Sequence, residues 1–308
     1  MIPSGSSSRG DTAIQRLPEG SRWRLRGRDL ALDHPIVVGI LNVTPDSFSD
    51  GGQFADTETA VAHGLRMAAE GADVIDVGGE STRPQGARPV STADERARVL
   101  PVVRELVRLL PDMVISVDTV KSDVAEAALD AGAHVVNDVS GFRLDRRMAQ
   151  LCAATSAGVV LMHSRGGVSE MGTYEFAAYD GDVVRAIRGE LESSLLVARE
   201  AGIRAEAIVI DPGIGFAKRS EHSLAALAGL PGLTALGYPV LVGVSRKRFI
   251  GELTGGREPA DRLFGTIGAN VAALMLGARL FRVHDVREAR EALDVAFAVR
   301  AMTLRGSM

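Results

Sequence analysis

From Pro35 onward the chain alternates between two hydrophobic patterns. Short runs rich in Val and Ile occupy 36–43, 73–78, 113–119, 134–139, 158–163, 207–211, 239–245 and 279–284. They are continuously apolar rather than alternating, which is the pattern of parallel strands covered on both faces. Between them, apolar residues recur three and four apart. Examples are Val61, Leu65 and Ala68; Val99, Val102, Leu106 and Leu109; and Leu191, Leu195 and Ala198. That spacing lays one apolar stripe along a helix.

Start and stop signals fit these segments. Ser91 and Asp94 predict a capping box before the second helix, and Pro111 lies just past its end. Ser122 is placed to cap the third helix, with Gly132 at its left-handed end; Gly71, Gly158 and Gly202 follow the first, fourth and fifth helices. Eight strands, each followed by a helix, predict an α/β fold with a single (β/α)8 TIM barrel. The span 35–305 agrees with the roughly 250 residues usual for that architecture. An open doubly wound sheet is the alternative, though the chain has no G-x-G-x-x-G turn. Trp23 to Leu32 alternates about Gly27 and predicts a short N-terminal β-hairpin at one end of the core. Residues 1–20, rich in Gly, Ser and charge, are expected to form a disordered leader, and 21–308 a single domain.

The barrel gives the strand ends their meaning, because parallel strands bring their C-terminal ends to one face, where active sites lie. The runs end in Asn42; Asp76-Val-Gly-Gly-Glu80; Asp118; Asn137-Asp138; Met162-His163; Asp211-Pro-Gly-Ile-Gly-Phe216; Ser245 and Lys247; and Arg282-Val-His284. On the seventh run, strand alternation puts Gly243, Ser245 and Lys247 on one face and Val244 and Arg246 on the other. Each polar residue has a plainer reading: Asp211 as a turn former, Asn137 and Asp138 as backbone caps, Arg282 with Asp285 as a rim pair, Lys247 as a solvated cation. Convergence on one barrel mouth weighs against all of these together. The inventory suits a flat heterocycle with a guanidine-like edge, with Asp211 for its N–H groups, Lys247 for its acceptors and Asn137 for mixed positions. Arg282 and His284, two apart, suit a phosphate, which without a P-loop would be held by side chains and Mg2+.

Composition narrows the classes. The 308 residues are 46% hydrophobic and 24% charged, with formal net charge -4, so there is no basic footprint for nucleic acid. The single cysteine, Cys152, excludes an internal disulfide and a multi-cysteine zinc or iron–sulfur site. No run of about 18 apolar residues occurs, and the N-terminus lacks a signal-peptide core. The expectation is a cytoplasmic protein with no membrane partner.

The long motifs Asn42-Val-Thr-Pro-Asp-Ser-Phe-Ser-Asp-Gly-Gly52, Gly79-Glu-Ser-Thr-Arg-Pro84, Asp211 to Phe216, Ser245-Arg-Lys247 and Arg282-Val-His284 resemble the dihydropteroate synthase family, from about Trp23 to the last helix. The resemblance implies a pterin-binding barrel that joins 6-hydroxymethyl-7,8-dihydropterin diphosphate to 4-aminobenzoate, with Mg2+ as cofactor. It implies that Asp118, Asn137, Met162, Asp211, Phe216, Gly243 and Lys247 meet the pterin. Asn42, Thr82, Arg282 and His284 would meet the diphosphate, and Asn42 the metal. Phe48, Thr82, Arg83, Pro84, Ser245 and Arg248 would meet the aminobenzoate. The chemistry would rest on Lys247, Arg282, His284, Asp118, Asp50 and Arg83. Family members are commonly homodimers. Departures from the family pattern are Gln85 after Pro84, Ser164-Arg-Gly-Gly-Val168 after His163, and Ala217-Lys-Arg219 after Phe216. A methyltetrahydrofolate-dependent methyltransferase and a non-catalytic pterin-binding paralogue are the alternatives. The diphosphate and loop motifs argue against both.

Overall fold

The computed structural model describes residues 20–43, 52–80 and 90–305. The expected leader, apart from Gly20, lies outside the described residues. An antiparallel hairpin comes first, β1 (Arg22–Leu25) and β2 (Arg28–Ala31), turned at Gly27 with φ +76°. Eight parallel strands follow: β3 (Ile36–Asn42), β4 (Val74–Gly78), β5 (Val114–Asp118), β6 (Val135–Asp138), β7 (Gly158–Met162), β8 (Ile208–Asp211), β9 (Leu241–Val242) and β10 (Leu280–Val283). They neighbour one another in the order β8-β7-β6-β5-β4-β3-β10-β9. A parallel bridge between Ile210 and Val240 then joins the two ends and closes the ring. The open-sheet alternative is thereby excluded.

Helices α1 (Gly52–Ala69), α2 (Thr92–Leu109), α3 (Ser122–Asp130), α4 (Met148–Thr155) and α5 (Val183–Glu200) follow successive strands. The next two crossovers each carry a pair, α6 (Ser220–Ala228) with α7 (Leu230–Thr234) and α8 (Arg248–Leu253) with α9 (Leu263–Met275); α10 (Val286–Arg305) ends the chain. Among the described residues no helix is long and apolar enough to cross a membrane.

The alternation of strand side chains divides the core in two. One phase, with Val37, Ile75, Ile115, Val136 and Phe281, packs outward against helix residues such as Val102 and Leu106. The other phase, with Ile36, Val38, Val74, Val114, Val160, Val209 and Leu280, fills the barrel and meets Trp23, Leu25 and Leu32. The hairpin therefore plugs the N-terminal end of the barrel, and Trp23 Nε1 donates to the Ala207 carbonyl at 2.9 Å. With that end closed, the C-terminal mouth is where a ligand can enter.

Four local expectations are refined. Ser91 caps α2, its Oγ accepting from Asp94 N at 3.1 Å, but the Asp94 carboxylate accepts from the Ser91 hydroxyl at 2.6 Å rather than from the Ser91 backbone N–H, so the reciprocal half of the capping box is not made. Ser122, however, does not cap α3 with its hydroxyl; Asp145 Oδ2 accepts the Ser122 backbone N–H at 2.8 Å instead. A carboxylate from a later loop brings negative charge to the helix N-terminus, where the dipole favours it. Gly158 opens β7, and the left-handed residue after α4 is Ser156, with φ 54°. The seventh apolar run pairs only at Leu241 and Val242. Beyond it the chain turns at Arg246, with φ 59°, and Lys247 takes the N-cap position of α8. Lys247 thus reaches the mouth from a turn rather than by strand alternation.

Candidate active site

The inward phase that is Val and Ile at the base of the barrel becomes polar near the mouth. Two residues on from Val74 stands Asp76, four on from Val114 stands Asp118, and two on from Val135, Val209 and Leu280 stand Asn137, Asp211 and Arg282. Register places them side by side, with Asp76 paired to Ser116, Asp118 to Asn137 and Met162 to Asp211. They border a cavity of about 900 Å³. Asn42, Asp118, Asn137, Met162, Asp211 and Phe216 line it from one side. Gly243, Ser245, Lys247, Arg248, Arg282 and His284 line it from the other. Every expected site residue among the described ones is therefore brought to one place. Phe48, Asp50, Thr82, Arg83 and Pro84 lie outside the described residues.

At the centre one guanidinium bridges two carboxylates. Arg282 Nε donates to Asp76 Oδ2 at 2.7 Å, and Nη2 donates to Asp118 Oδ2 at 2.7 Å. Burial pushes the Asp118 carboxyl up to about 7, against the pull of Arg282. Asn137 Nδ2 donates to the same Asp76 oxygen at 2.9 Å. Asp76 carries no expected role, yet it contacts two expected site residues. The signal that could have found it is a carboxylate inside the apolar run 73–78, in phase with Val74.

The turn after β8 is shaped by its glycines. Asp211 Oδ1 accepts from Gly213 N at 2.7 Å. Gly213 has φ +64°, and a Cβ there would lie 1.9 Å from the His163 carbonyl oxygen, so no side chain fits. At Gly215, with φ +80°, a Cβ would come 3.0 Å from Lys247 Cδ. The two glycines let the turn lie close under the lysine, whose Nζ sits 3.8 Å from the centroid of the Phe216 ring. Burial, with Arg282 nearby, lowers the Lys247 ammonium to about 8, and burial raises Asp211 to about 6. An acid and an ammonium poised near neutrality, facing one cavity with an aromatic wall, suit a polar flat ligand that supplies the missing hydrogen bonds.

A second buried cation braces this turn from behind. Lys218 is 2% exposed and its Nζ meets His163 Nδ1 at 2.7 Å and the carbonyls of Gly213 and Phe216 at 3.0 Å each. Three acceptors match the three N–H bonds of an ammonium. The His163 Nδ1 must then be the unprotonated nitrogen, which leaves Nε2, 3.0 Å from Glu190 Oε2, to carry the proton. Burial and then Lys218 hold His163 down at about 4, as a neutral ring requires. Burial raises the Glu190 carboxyl, but the hydrogen bonds from His163 and Arg165 outweigh it and hold the group at about 2. Lys218 was legible only as one more cation past Phe216, because its partners come from another strand.

On the remaining side, Ser245 Oγ lies 2.9 Å from His284 Nδ1, tying β10 to the turn after β9. Arg246, which also borders the cavity, pairs with Asp285, with Nη2 2.5 Å from Oδ1 and Nε 3.2 Å from Oδ2. Asp285 therefore pairs with Arg246, and the rim pair Arg282–Asp285 is not formed. Arg248 and Arg219 both approach the Tyr174 ring, at 4.6 and 5.1 Å from its centroid, at the outer edge of the cavity.

Comparison with known proteins adds the family. The family described as "Pterin binding enzyme" matches residues 38–284. A dihydropteroate synthase of Mycobacterium leprae is 47% identical over 267 residues, covering 85% of this chain and 92% of that protein. A solved dihydropteroate synthase of Xanthomonas albilineans with 4-aminobenzoic acid is 46% identical, with TM-score 0.84, covering 91% of this chain and 99% of that one. The same organism's enzyme in complex with 7,8-dihydropteroate gives TM-score 0.80 at 44% identity, covering 90% and 99%.

Proposed function

Because the chain belongs to the pterin-binding enzyme family, we propose that it is a transferase that joins 6-hydroxymethyl-7,8-dihydropterin diphosphate to 4-aminobenzoate. The products are 7,8-dihydropteroate and pyrophosphate, a step of folate synthesis. The observation that carries this reading is the polar cap of the barrel: the acids Asp118 and Asp211, an amide, a lysine on an aromatic wall, and an arginine and a histidine two residues apart, all on one cavity. Asp211 and Asp118 accept from the N–H groups of the pterin, Asn137 and Lys247 meet its remaining polar edge, and Met162 and Phe216 hold its faces. Arg282 and His284 face the diphosphate. Ser245 and Arg248 lie toward the amine's carboxylate.

No protein nucleophile is needed. The bond from the methylene carbon to the bridging oxygen breaks, and its electron pair leaves with the diphosphate. The electron-rich ring spreads the positive charge, which Asp118 and Asp211 favour. The arylamine nitrogen supplies the pair for the new C–N bond and sheds a proton to solvent. The chain's work is orientation and charge placement, which suits rigid strand ends.

Among the described residues no group of three His, Cys, Asp or Glu is arranged to hold a metal. The donor set at the mouth, an Asn42 amide beside the diphosphate position, fits a Mg2+ that arrives on the diphosphate and keeps most of its waters. Such an ion would neutralise charge on the leaving group. In the test, purified chain supplied with Mg2+, the pterin diphosphate and 4-aminobenzoate is expected to release pyrophosphate and form dihydropteroate. Absence of dihydropteroate with all three present would sink the reading.

A cytoplasmic location and a homodimer complete the proposal. Leu253, Phe264, Val295 and Met302 are 64%, 87%, 67% and 67% exposed, and Val295 and Met302 share a stripe of α10. Burying large apolar side chains against a second copy is the favourable way to remove them from water. Sedimentation is expected to give twice the chain mass, and Phe264→Glu with Val295→Glu to give the monomer. A wild-type chain that sediments as a monomer at micromolar concentration would refute the dimer.

A further inference from the structure

We infer that Asp76 is a positioning residue for this reaction: it anchors Arg282 for the leaving diphosphate and sets which end of the Asn137 amide faces the pterin. The inference rests on the functional reading above and deepens it.

Asp76 is 1% exposed, in the middle of β4, below the cavity rather than on it. Both of its hydrogen bonds fall on one oxygen. Oδ2 receives Arg282 Nε at 2.7 Å and Asn137 Nδ2 at 2.9 Å, while buried Oδ1 has no partner among the described residues. A carboxylate buried this deeply requires a cation, and the guanidinium that bonds to it is that of Arg282. The bond is made through Nε, next to the side-chain stem. The other end of the guanidinium reaches Asp118, which also borders the cavity. Asp118 is the group expected to accept from the pterin. When a pterin N–H takes Asp118, the Nη end of Arg282 loses that partner. Held at Nε by Asp76, it can turn toward the diphosphate without leaving the site.

The same carboxylate fixes the polarity of Asn137. A carboxylate only accepts, so the Asn137 NH2 must face Asp76. The amide oxygen is then the atom left for a ligand N–H. A neighbour able to donate would permit the opposite orientation, and the site would lose its preference. Asp76 thus acts through two other residues and touches no substrate atom.

Two substitutions separate the two actions. An amide at this position offers Arg282 no charge and lets Asn137 take either orientation, which costs a plain pterin about twofold when the two are equally populated. Asp76→Asn is therefore expected to weaken binding of the pterin diphosphate by about tenfold while plain 6-hydroxymethylpterin loses less than about threefold, with kcat falling more than KM rises. Asp76→Leu removes both anchors and is expected to weaken both ligands. In an Arg282→Ala background, Asp76→Asn should cost the pterin diphosphate no more than that twofold, since residues acting through one another are not additive. Calorimetry with the two pterins reads all four proteins. Equal losses of both pterins in Asp76→Asn, or unchanged binding of both, would overturn the assignment. Should the variants fail to fold, a crystal structure of the unaltered chain with the pterin diphosphate decides. Nε still on Asp76 with an Nη on the diphosphate supports the role, and Arg282 detached from Asp76 refutes it. A wild-type chain that binds neither pterin would overturn the functional reading itself, and this inference with it.

Discussion

Arg282→Ala is expected to lower turnover by about 10²–10³-fold, the scale of removing one preorganised charge donor from a developing anion. It is also expected to destabilise the free chain. Arg282 supplies a 2.7 Å bond to each of two buried carboxylates, and its removal leaves Asp76 and Asp118 without their cation. Breaking a buried pair costs roughly 3–5 kcal/mol, which should lower the melting temperature by about 10 °C. The loss should depend on pH. With Arg282 gone, burial and Asp76 push the Asp118 carboxyl further up, so the variant holds a proton that the unfolded chain releases. Its stability deficit then grows as pH rises and shrinks toward pH 6. Binding of the pterin diphosphate should weaken more than binding of plain 6-hydroxymethylpterin, though the latter also suffers because Asp118 loses its partner. Thermal melts at pH 6 and 8, with calorimetry on both ligands, check each part. Equal loss of both pterins would mean that the guanidinium serves the ring rather than the leaving group.

The second large effect is at Asp211, and it has opposite signs in binding and in stability. The carboxyl is 5% exposed and burial raises it to about 6. Its folded value lies above its unfolded value, so its contribution to stability is present at low pH and is lost as pH rises through about 6. At pH 8 the free chain therefore carries an ionised, partly unpaired buried acid. Asp211→Asn removes that charge while an amide oxygen can still accept from Gly213 N. The variant is expected to be more stable at pH 8 by on the order of 2 kcal/mol. Ligand binding goes the other way. The pterin's N–H groups require an ionised acceptor, and charge-assisted hydrogen bonds contribute roughly 1.5–3 kcal/mol each, so Asp211→Asn should bind any pterin about ten- to a hundredfold more weakly. In the wild type, pterin affinity should fall as pH drops through the values of Asp118, about 7, and Asp211, about 6. The variant should keep only the Asp118 part of that dependence. A variant that is both less stable and unaltered in pterin affinity would remove Asp211 from the site.

Much of the molecule was determined by local sequence. Eight Val- and Ile-rich runs separated by helical spacing are enough to specify a parallel barrel, because strands buried on both faces require helices outside and a filled interior. The residue types at the run ends, with the long motifs around Asn42, Glu80, Asp211, Lys247 and Arg282, were enough to place the site at one mouth. The Ser91 cap and the glycine turns were legible for the same reason: their partners lie within a few residues.

What the tertiary structure decided is who pairs with whom. Asp76 reads in sequence as one of the polar residues in which the second run ends, with no role of its own. Only strand register places it under Arg282, 206 residues away, and beside Asn137, 61 residues away. Lys218 stands in sequence only within a departure from the family pattern, and it is closure of the barrel that sets His163 and the Gly213 carbonyl around its ammonium. Strand alternation offers Lys247 one face of the seventh run, with a solvated loop as the plainer reading; the chain turns at Arg246 and delivers the lysine to the cavity from a helix N-cap. Hydrophobic periodicity specifies which face a residue takes, since that depends on its own neighbours. Charge pairing across a barrel depends on register and closure, which are properties of the whole ring, and no local pattern carries them.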